Sequence, residues 1–490
     1  MLAFLRSIVA QGGAQIATVL LGLVANKIIA VMLGASGTGF FALLRQLHDL
    51  SVSWVGLGVG QGLVQGLSAR EGDAKRGLLG TACWLYGLAA LLVAIVFVAM
   101  PMTLASWVMD SDAISAAQAV RLVGLTAAFG LIANLLGALL QSHGAIVQYS
   151  LTQVLANVAL AAAAYPVALA ASSQSPYLTL LIAIPLLIQI VVTLIMNRRL
   201  RLWSQLRSAY FGWNQAGLEH FTGYIGFGLA QLAIGIGSGL LARALIVHGY
   251  DLQGVGHFQA AWALSVQSVA LVLTPFTTYA IPKLASVQKD RPAYEKNWHD
   301  MTLVVWAATV PLVVVGLAFK PLLLRIFYTG EFLEAVPMLQ WMLLANLVKS
   351  ASWLLATPFL AAARLRQHLA LGLILDVSFV VGVWGATNWG LDLRYIGIAF
   401  LVSYSLYLAA AWLLCWRYFA LAFSPRLLRA MAGGIILAVG VAALTWDERI
   451  VNWPLALAAT IAACLLGVAV LDSQRRATLL RLLMRGGRAS

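Results

Sequence analysis

The sequence predicts an all-α polytopic membrane protein of about fourteen transmembrane helices, with two parallel six-helix lobes followed by two C-terminal helices. Three observations carry that prediction. Of the 490 residues 62% are hydrophobic and only 10% are charged, whereas a soluble protein carries about 25% charged residues. Apolar runs of about 20 residues, the length that crosses a bilayer, succeed one another with no insert large enough for an extramembrane domain. A short motif also recurs: Gly37-Thr38-Gly39-Phe40-Phe41 matches Gly254-Val255-Gly256-His257-Phe258 at an offset of 217, which also sets Leu67-Ser68-Ala69 opposite Leu284-Ala285-Ser286.

Each span follows from its apolar run and its flanks. Met1 to Arg6 lead directly into a run from Ile8 to Leu33. That run is too long for the core of a signal peptide and lacks a small-residue cleavage site before its end, so span 1 covers 7–33. Span 2, 38–66, opens on the repeated glycine motif and ends before Arg70, Lys75 and Arg76. Spans 3 and 4, 78–107 and 115–141, are separated by Asp110 and Asp112. Spans 5 and 6, 149–171 and 177–196, end before Arg198, Arg199, Arg201 and Arg207. Spans 7 and 8, 219–248 and 255–284, flank Asp251 and close on Lys283, Lys289, Arg291 and Lys296. Spans 9 and 10, 299–320 and 336–361, enclose Glu331 and Glu334. Spans 11 and 12, 369–388 and 395–416, start after Arg364 and Arg366, are separated by Asp392, and end before Arg417, Arg426 and Arg429. Spans 13 and 14, 430–446 and 453–471, straddle Asp447 and Glu448 and precede a basic tail.

Basic connections therefore alternate with acidic ones, and most of the 31 lysines and arginines fall on one face. The positive-inside rule makes that face cytoplasmic, and both termini with it. This distribution accounts for the net charge of +14 as membrane topology, without a nucleic-acid partner. Cys83, Cys415 and Cys464 lie far apart within apolar runs, so neither a disulfide framework nor a metal site is expected, and no cofactor is.

Because six spans separate the motif copies, both copies cross the membrane in the same direction. The lobes are then an N-lobe over 1–196 and a C-lobe over 219–417, joined by a basic, Trp-containing linker at 197–218. Lys27 in span 1 falls near the equivalent of Arg243 in span 7, and Ala133-Asn134-Leu135 is echoed by Ala345-Asn346-Leu347. The two extra helices at 430–471 and the basic cytoplasmic tail at 472–490 fall outside the repeat. The linker has two readings, an amphipathic stretch on anionic headgroups or a solvated loop. A repeat of this kind is a transporter signature, with cargo held between the lobes.

A charge at membrane depth costs from about 2.5 to more than 10 kcal/mol, so a chain that keeps several is lining something polar with them. Lys27, Arg45, Arg121, Arg243 and Lys349 are such charges, and their sign points to an anionic cargo. Snorkelling to the interface is the competing account, strongest for Arg243 and weakest for Arg45 and Lys349. Arg45 and Asp49 are four apart and share a helix face, beside His48. They are either a structural ion pair, or Asp49 orients Arg45 or couples transport to a proton or sodium ion. Asp376 is the other deep carboxylate, a second coupling candidate whose alternative role is to pair with Lys349. Glu219 and His220 read as a helix cap. The chain has no P-loop, HExxH, GxSxG or paired cysteines, so catalysis is not expected.

The stretch Asn26-Lys27-Ile28-Ile29-Ala30-Val31-Met32-Leu33-Gly34, followed by Gly37-Thr38-Gly39, Leu44-Arg45-Gln46-Leu47 and a Gly-rich end to span 2, resembles the opening of Wzx-type polysaccharide flippases. The nearest likeness is to the O-antigen and enterobacterial common antigen (lipid III) translocases of the multidrug, oligosaccharidyl-lipid and polysaccharide exporter superfamily. It runs through spans 1 to 12; spans 13 and 14 look more like the lipid II flippase branch. The resemblance implies a flippase that carries an undecaprenyl-pyrophosphate-linked oligosaccharide of the O-antigen or common-antigen type from the cytoplasmic to the periplasmic leaflet by alternating access. It also implies a bacterial inner membrane, a place in lipopolysaccharide biosynthesis, and glycan polymerase or ligase machinery as partners. The family's cationic cavity maps onto Lys27 and Arg45, while Arg121, Arg243 and Lys349 are added from the charges themselves. The alternative is a cation-coupled multidrug antiporter of the same superfamily, whose organic cations call for carboxylates where this chain has arginines. A membrane-embedded glycan polymerase or ligase would need a large periplasmic loop, and no periplasmic connection here exceeds about 15 residues.

Overall fold

The computed structural model describes residues 2–69, 72–111, 113–199, 215–362, 364–421, 423–446 and 450–470. Residues 200–214 of the expected linker and the basic tail from 471 lie outside the described residues. The described backbone is helical, without strands, because an apolar medium leaves each segment to satisfy its own N–H and C=O groups. In chain order, the first seven helices are α1 Leu2–Val55, α2 Gln61–Ala69, α3 Gly72–Ala99, α4 Pro101–Met109, α5 Ile114–Ser142, α6 Ile146–Ala170 and α7 Leu180–Arg199. They are followed by α8 Gln215–Gln231, α9 Ser238–Ser286, α10 Arg291–Ala318, α11 Lys320–Phe327, α12 Val336–Ala361, α13 Leu365–Asn388, α14 Arg394–Phe419, α15 Pro425–Leu444 and α16 Trp453–Val470. Two π-helical segments, Gly56–Gly60 and Leu232–Gly237, join α1 to α2 and α8 to α9.

Among the described residues, twelve helical stretches are long and apolar enough to cross a membrane. Two of them, Gly13–Val55 with 43 residues and Gln215–Ser286 with 72, far exceed the roughly 20 residues of one crossing. Each breaks where the sequence places the end of a span: α1 at Gly34 (φ 68°, ψ −165°), α9 at Tyr250 and Asp251 (φ 58°, ψ −171° at Asp251). Each broken stretch supplies two crossings, which brings the twelve to the predicted fourteen. The difference from expectation is that the joint is one or two residues of non-helical backbone rather than a loop. Helix α10 also starts eight residues before the predicted span, because the Asp290 side chain accepts from the Ala293 N–H at 3.1 Å and Pro292 opens the first turn.

The chain folds as two compact units. The first comprises Met1–Gln259 with Phe327–Glu331 and Val383–Gly390; the second comprises Ala260–Ile326, Phe332–Gly382 and Leu391–Ser490. In the first, the sequence repeat acquires a geometric meaning. A Cβ on Gly39 would lie 2.0 Å from the Leu252 carbonyl oxygen, and one on Gly256 would lie 2.0 Å from the Ala35 carbonyl oxygen. The two contacts exchange under the 217-residue offset, so the motif glycines are fixed by reciprocal close approach of backbones. Gly34 and Asp251, also equivalent, share the same left-handed backbone. Asp251 caps its own helix by accepting from the Gln253 and Gly254 N–H groups at 2.6 and 3.2 Å. Gly34 has no side chain to do so, and the Glu331 carboxylate takes that place, accepting from the Ala35 N–H at 3.3 Å.

In the second unit α12 is the most enclosed crossing: Leu339, Met342, Leu343, Leu354 and Phe359 are all buried. Trp298 donates to the Leu354 carbonyl at 3.0 Å, tying α10 to α12. Helices α15 and α16 pack on α10, where Trp306 donates to the Ala430 carbonyl at 3.0 Å and a Cβ on Gly467 would sit 2.7 Å from the Ala307 carbonyl oxygen. Lys320 is fully buried and donates to Gln340 Oε1 at 2.6 Å and to Thr445, so α11, α12 and α15 converge on one ammonium group. In both units apolar side chains are exposed as lipid-facing ones are, among them Leu91, Ile95 and Val98 of α3 in the first and Val381 of α13 and Ile461 and Leu465 of α16 in the second.

Candidate functional site

The half of α1 that follows Gly34 brings four polar side chains close together, and the helix period sorts them. Arg45 and Asp49 project outward and are exposed. Among the described residues no ion pair within 4 Å joins them, and Arg45 makes no hydrogen bond. Gln46 and His48 turn inward. The Gln46 amide donates to the Ile236 carbonyl at 3.0 Å, within the π-helical segment between α8 and α9. His48 is 5% exposed and presses on Gly130 of α5, where a Cβ would lie 2.8 Å from its ring.

Arg243 sits beside this group. Its Nη1 donates to the Gly239 carbonyl and its Nη2 to Gln259 Oε1, both at 3.0 Å, and its guanidinium lies 5.2 Å from the centre of the Phe258 ring. At 5% exposure it does not reach out to an interface, so snorkelling is not how this charge is accommodated. A Cβ on Gly239 would meet the Gln46 amide at 3.2 Å and Arg243 Nη1 at 3.6 Å, which places the two side chains around one glycine. Asp49 acts electrostatically on both Arg243 and His48. The Arg243 cation is thus held by one neutral amide and a carbonyl.

The other basic residues are placed separately. Lys27, half-buried on the preceding half of α1, donates to the backbone carbonyl of Tyr328. Arg121 is exposed on α5 and makes no hydrogen bond or ion pair among the described residues. In the second unit Lys349 is buried on α12, its ammonium 5.6 Å from the centre of the Tyr404 ring. Asp376, half-buried on α13, acts electrostatically on Tyr404 and Tyr407. No ion pair within 4 Å joins Lys349 to Asp376 among the described residues. Four of the seven candidates, Lys27, Arg45, Asp49 and Arg243, therefore belong to α1 and α9 of the first unit. Arg121 stands apart on α5, and Lys349 and Asp376 belong to the second unit.

His48 and Asp49 also border a cavity of about 610 Å³ enclosed by α1, α2, α5, α6 and α7. Its wall includes Gln141, Gln153 and Gln189. A search for charges overlooks such residues, as it overlooks Gln46 and Gln259. The available signal was an amide recurring within an apolar run, which is costly in hydrocarbon for the same reason as a charge, on a smaller scale.

A family profile described as "Polysaccharide biosynthesis protein" matches residues 28–337. No curated protein matches the sequence. Among solved structures, the lipid II flippase MurJ in an inward closed conformation is similar with a TM-score of 0.73 at 12% identity, over 95% of this chain and 98% of that one. An inward-facing multidrug resistance MATE family transporter of the MOP superfamily is similar with a TM-score of 0.68 at 12% identity, over 84% of this chain and 98% of that one. A MOP superfamily transporter from Pyrococcus furiosus, for which a reversed binding-pocket polarity is said to suggest a different function, gives a TM-score of 0.60 at 14% identity, over 85% and 96% of the two chains. At these identities the likeness is one of fold, and it is the fold of a multi-pass membrane transporter superfamily.

Proposed function

The chain belongs to the polysaccharide biosynthesis protein family, and from that premise we propose that it flips an undecaprenyl-pyrophosphate-linked oligosaccharide from the cytoplasmic to the periplasmic leaflet of a bacterial inner membrane. The observation that carries the proposal is Arg45: a guanidinium exposed within a membrane crossing, with no protein group hydrogen-bonded to it among the described residues. A guanidinium is a strong, bidentate partner for phosphate oxygens. Lys27 and Arg121 add positive charge, and Arg243 is a positioning residue held within the protein. The lobes at 1–196 and 219–417, cytoplasmic termini, and polymerase or ligase partners are parts of the same proposal. Asp49 and Asp376 remain its candidates for ion coupling, and Lys349 its candidate cation in the second unit.

The energetics favour an anion moving outward. Moving two negative charges outward across an inside-negative 100 mV releases on the order of 4 to 5 kcal/mol, at about 2.3 kcal/mol per charge. The test is the lipid-linked intermediate pool and surface-glycan profile of a deletion strain carrying either the wild-type protein or Arg45→Ala. The expected outcome is accumulation of undecaprenyl-linked oligosaccharide on the cytoplasmic side, cleared by wild type and not by Arg45→Ala. Unchanged glycans and intermediates in a strain without redundant flippases, together with altered drug sensitivity, would transfer the assignment to a multidrug antiporter.

A further inference from the structure

We propose that the cavity among α1, α2, α5, α6 and α7 is a subsite for the hydroxyl and amide groups of the cargo's uncharged sugars, distinct from the cations that take its phosphates. The proposal rests on the lipid-linked oligosaccharide reading above. The lining is polar but almost uncharged. Asn134 and five glutamines, Gln61, Gln65, Gln141, Gln153 and Gln189, contribute to it, no lysine or arginine does, and Asp49 is its one carboxylate. Among the described residues the side-chain amides of Gln61, Gln141, Gln153 and Gln189 take part in no hydrogen bond. Gln61 is exposed and Gln141, Gln153 and Gln189 are half-buried, so these amides take their partners from whatever occupies the cavity.

The wall is built to hold its polar groups in place. Tyr86 donates to Asn134 Oδ1 at 2.7 Å. Asn134 fits only because positions 56 and 60 are glycine: a Cβ at Gly56 would lie 2.6 Å from its Nδ2, and one at Gly60 would lie 3.0 Å from its Oδ1. His48 is seated against Gly130 and the Tyr149 ring against Gly137 in the same way. These glycines accommodate polar side chains, which ordinary helix packing does not require.

The chemistry of the lining selects the occupant. A phosphate would meet no cation here, and a polyprenyl chain would strand the amides. Each glutamine offers one acceptor and two donors on a planar group, which complements hydroxyls and acetamido groups that both donate and accept. The volume lies within the roughly 300–1,000 Å³ of small-molecule sites. The cavity runs from mid-crossing, at His48 and Gln189, to the helix ends at Gln65 and Gln141. Those ends lie on the face whose loops carry the excess of lysine and arginine, where the glycan would enter.

The test uses the full chain in nanodiscs and two probes, undecaprenyl pyrophosphate and undecaprenyl-pyrophosphoryl-N-acetylglucosamine, with binding read by native mass spectrometry. Wild type should favour the sugar-bearing lipid by about tenfold or more, as a few hydrogen bonds give. The double variant Gln141→Leu, Gln189→Leu should lose that preference while its affinity for bare undecaprenyl pyrophosphate stays within about twofold. Equal binding of the two lipids by wild type, or a preference retained by the variant, would overturn the subsite and leave the cavity a water-filled space. No binding of either lipid by wild type would instead remove the flippase reading itself. Should the double variant not be recovered, Gln153→Cys in a chain whose Cys83, Cys415 and Cys464 are replaced by alanine gives a second readout. Its thiol labelling should be blocked by the sugar-bearing lipid and not by the bare one, and equal labelling with both would overturn the proposal.

Discussion

A cation inside a membrane crossing is either held by the protein or left for a ligand, and this chain has both kinds. Arg243 is held: it bonds Gly239 and Gln259 and lies over Phe258. Arg243→Ala strands the Gln259 amide and a backbone carbonyl in apolar surroundings, so it should lower stability by about 1–3 kcal/mol. Arg45 is exposed and makes no such contacts, so Arg45→Ala should leave stability within about 0.5 kcal/mol while abolishing lipid-linked glycan export. Thermal unfolding of the purified variants, set beside their complementation of a deletion strain, checks both expectations. Equal thermal midpoints for the two variants would show that Arg243 is not the anchored member. The charges themselves were legible in the sequence, because each interrupts an apolar run. Their partners were not. Spacing offered Asp49 for Arg45, but residues four apart on a helix share a face without having to touch. The groups that do contact Lys27 and Arg243 include the Tyr328 carbonyl and the Gln259 amide, neither of which carries a charge to betray it.

Among the elements, the decisive one is the broken helix. Hydropathy runs on through Gly34 almost without a dip, so the sequence indicates where a span ends and not how short the joint is. The repeat was legible for a stronger reason: Gly39 and Gly256 recur because each faces a backbone carbonyl that leaves no room for a Cβ. Gly39→Val should therefore destabilise by at least the roughly 1–3 kcal/mol of an overpacked core, because a backbone carbonyl cannot swing aside as a side chain can. Gly256→Val should match it, the two sites being equivalent, and thermal midpoints of both variants in detergent test that equality. A capping carboxylate belongs to the same joint. Glu331 serves Ala35 where Asp251 serves its own helix. Glu331→Ala should cost about 0.5–2 kcal/mol, the value of a helix cap, whereas Gly34→Asp in the same chain should restore part of it by supplying the carboxylate locally. No sequence pattern announced Glu331, since its partner lies 296 positions away.

For the whole molecule the question is what drives the cargo in one direction. The fold class and the alternation of basic and acidic connections are legible in the order of apolar runs and charges along the chain, since both are imposed by the bilayer. The driving force follows from the sign of the charges. Cations facing an anionic headgroup make the membrane potential sufficient, because two negative charges crossing an inside-negative 100 mV change the leaflet equilibrium by about 4 to 5 kcal/mol, on the order of a thousandfold. A flippase that works as proposed would need no ion gradient. In oriented proteoliposomes with a potassium diffusion potential set by valinomycin, and no proton or sodium gradient, undecaprenyl-pyrophosphoryl-N-acetylglucosamine should accumulate in the leaflet facing the positive side. Reversing the potential should reverse the distribution, and Asp49→Asn should leave it unchanged. If accumulation instead requires a proton or sodium gradient and vanishes in Asp49→Asn, coupling through that carboxylate is obligatory. Asp49 would then be an ion site, and its influence on Arg243 would be the link between ion entry and cargo release.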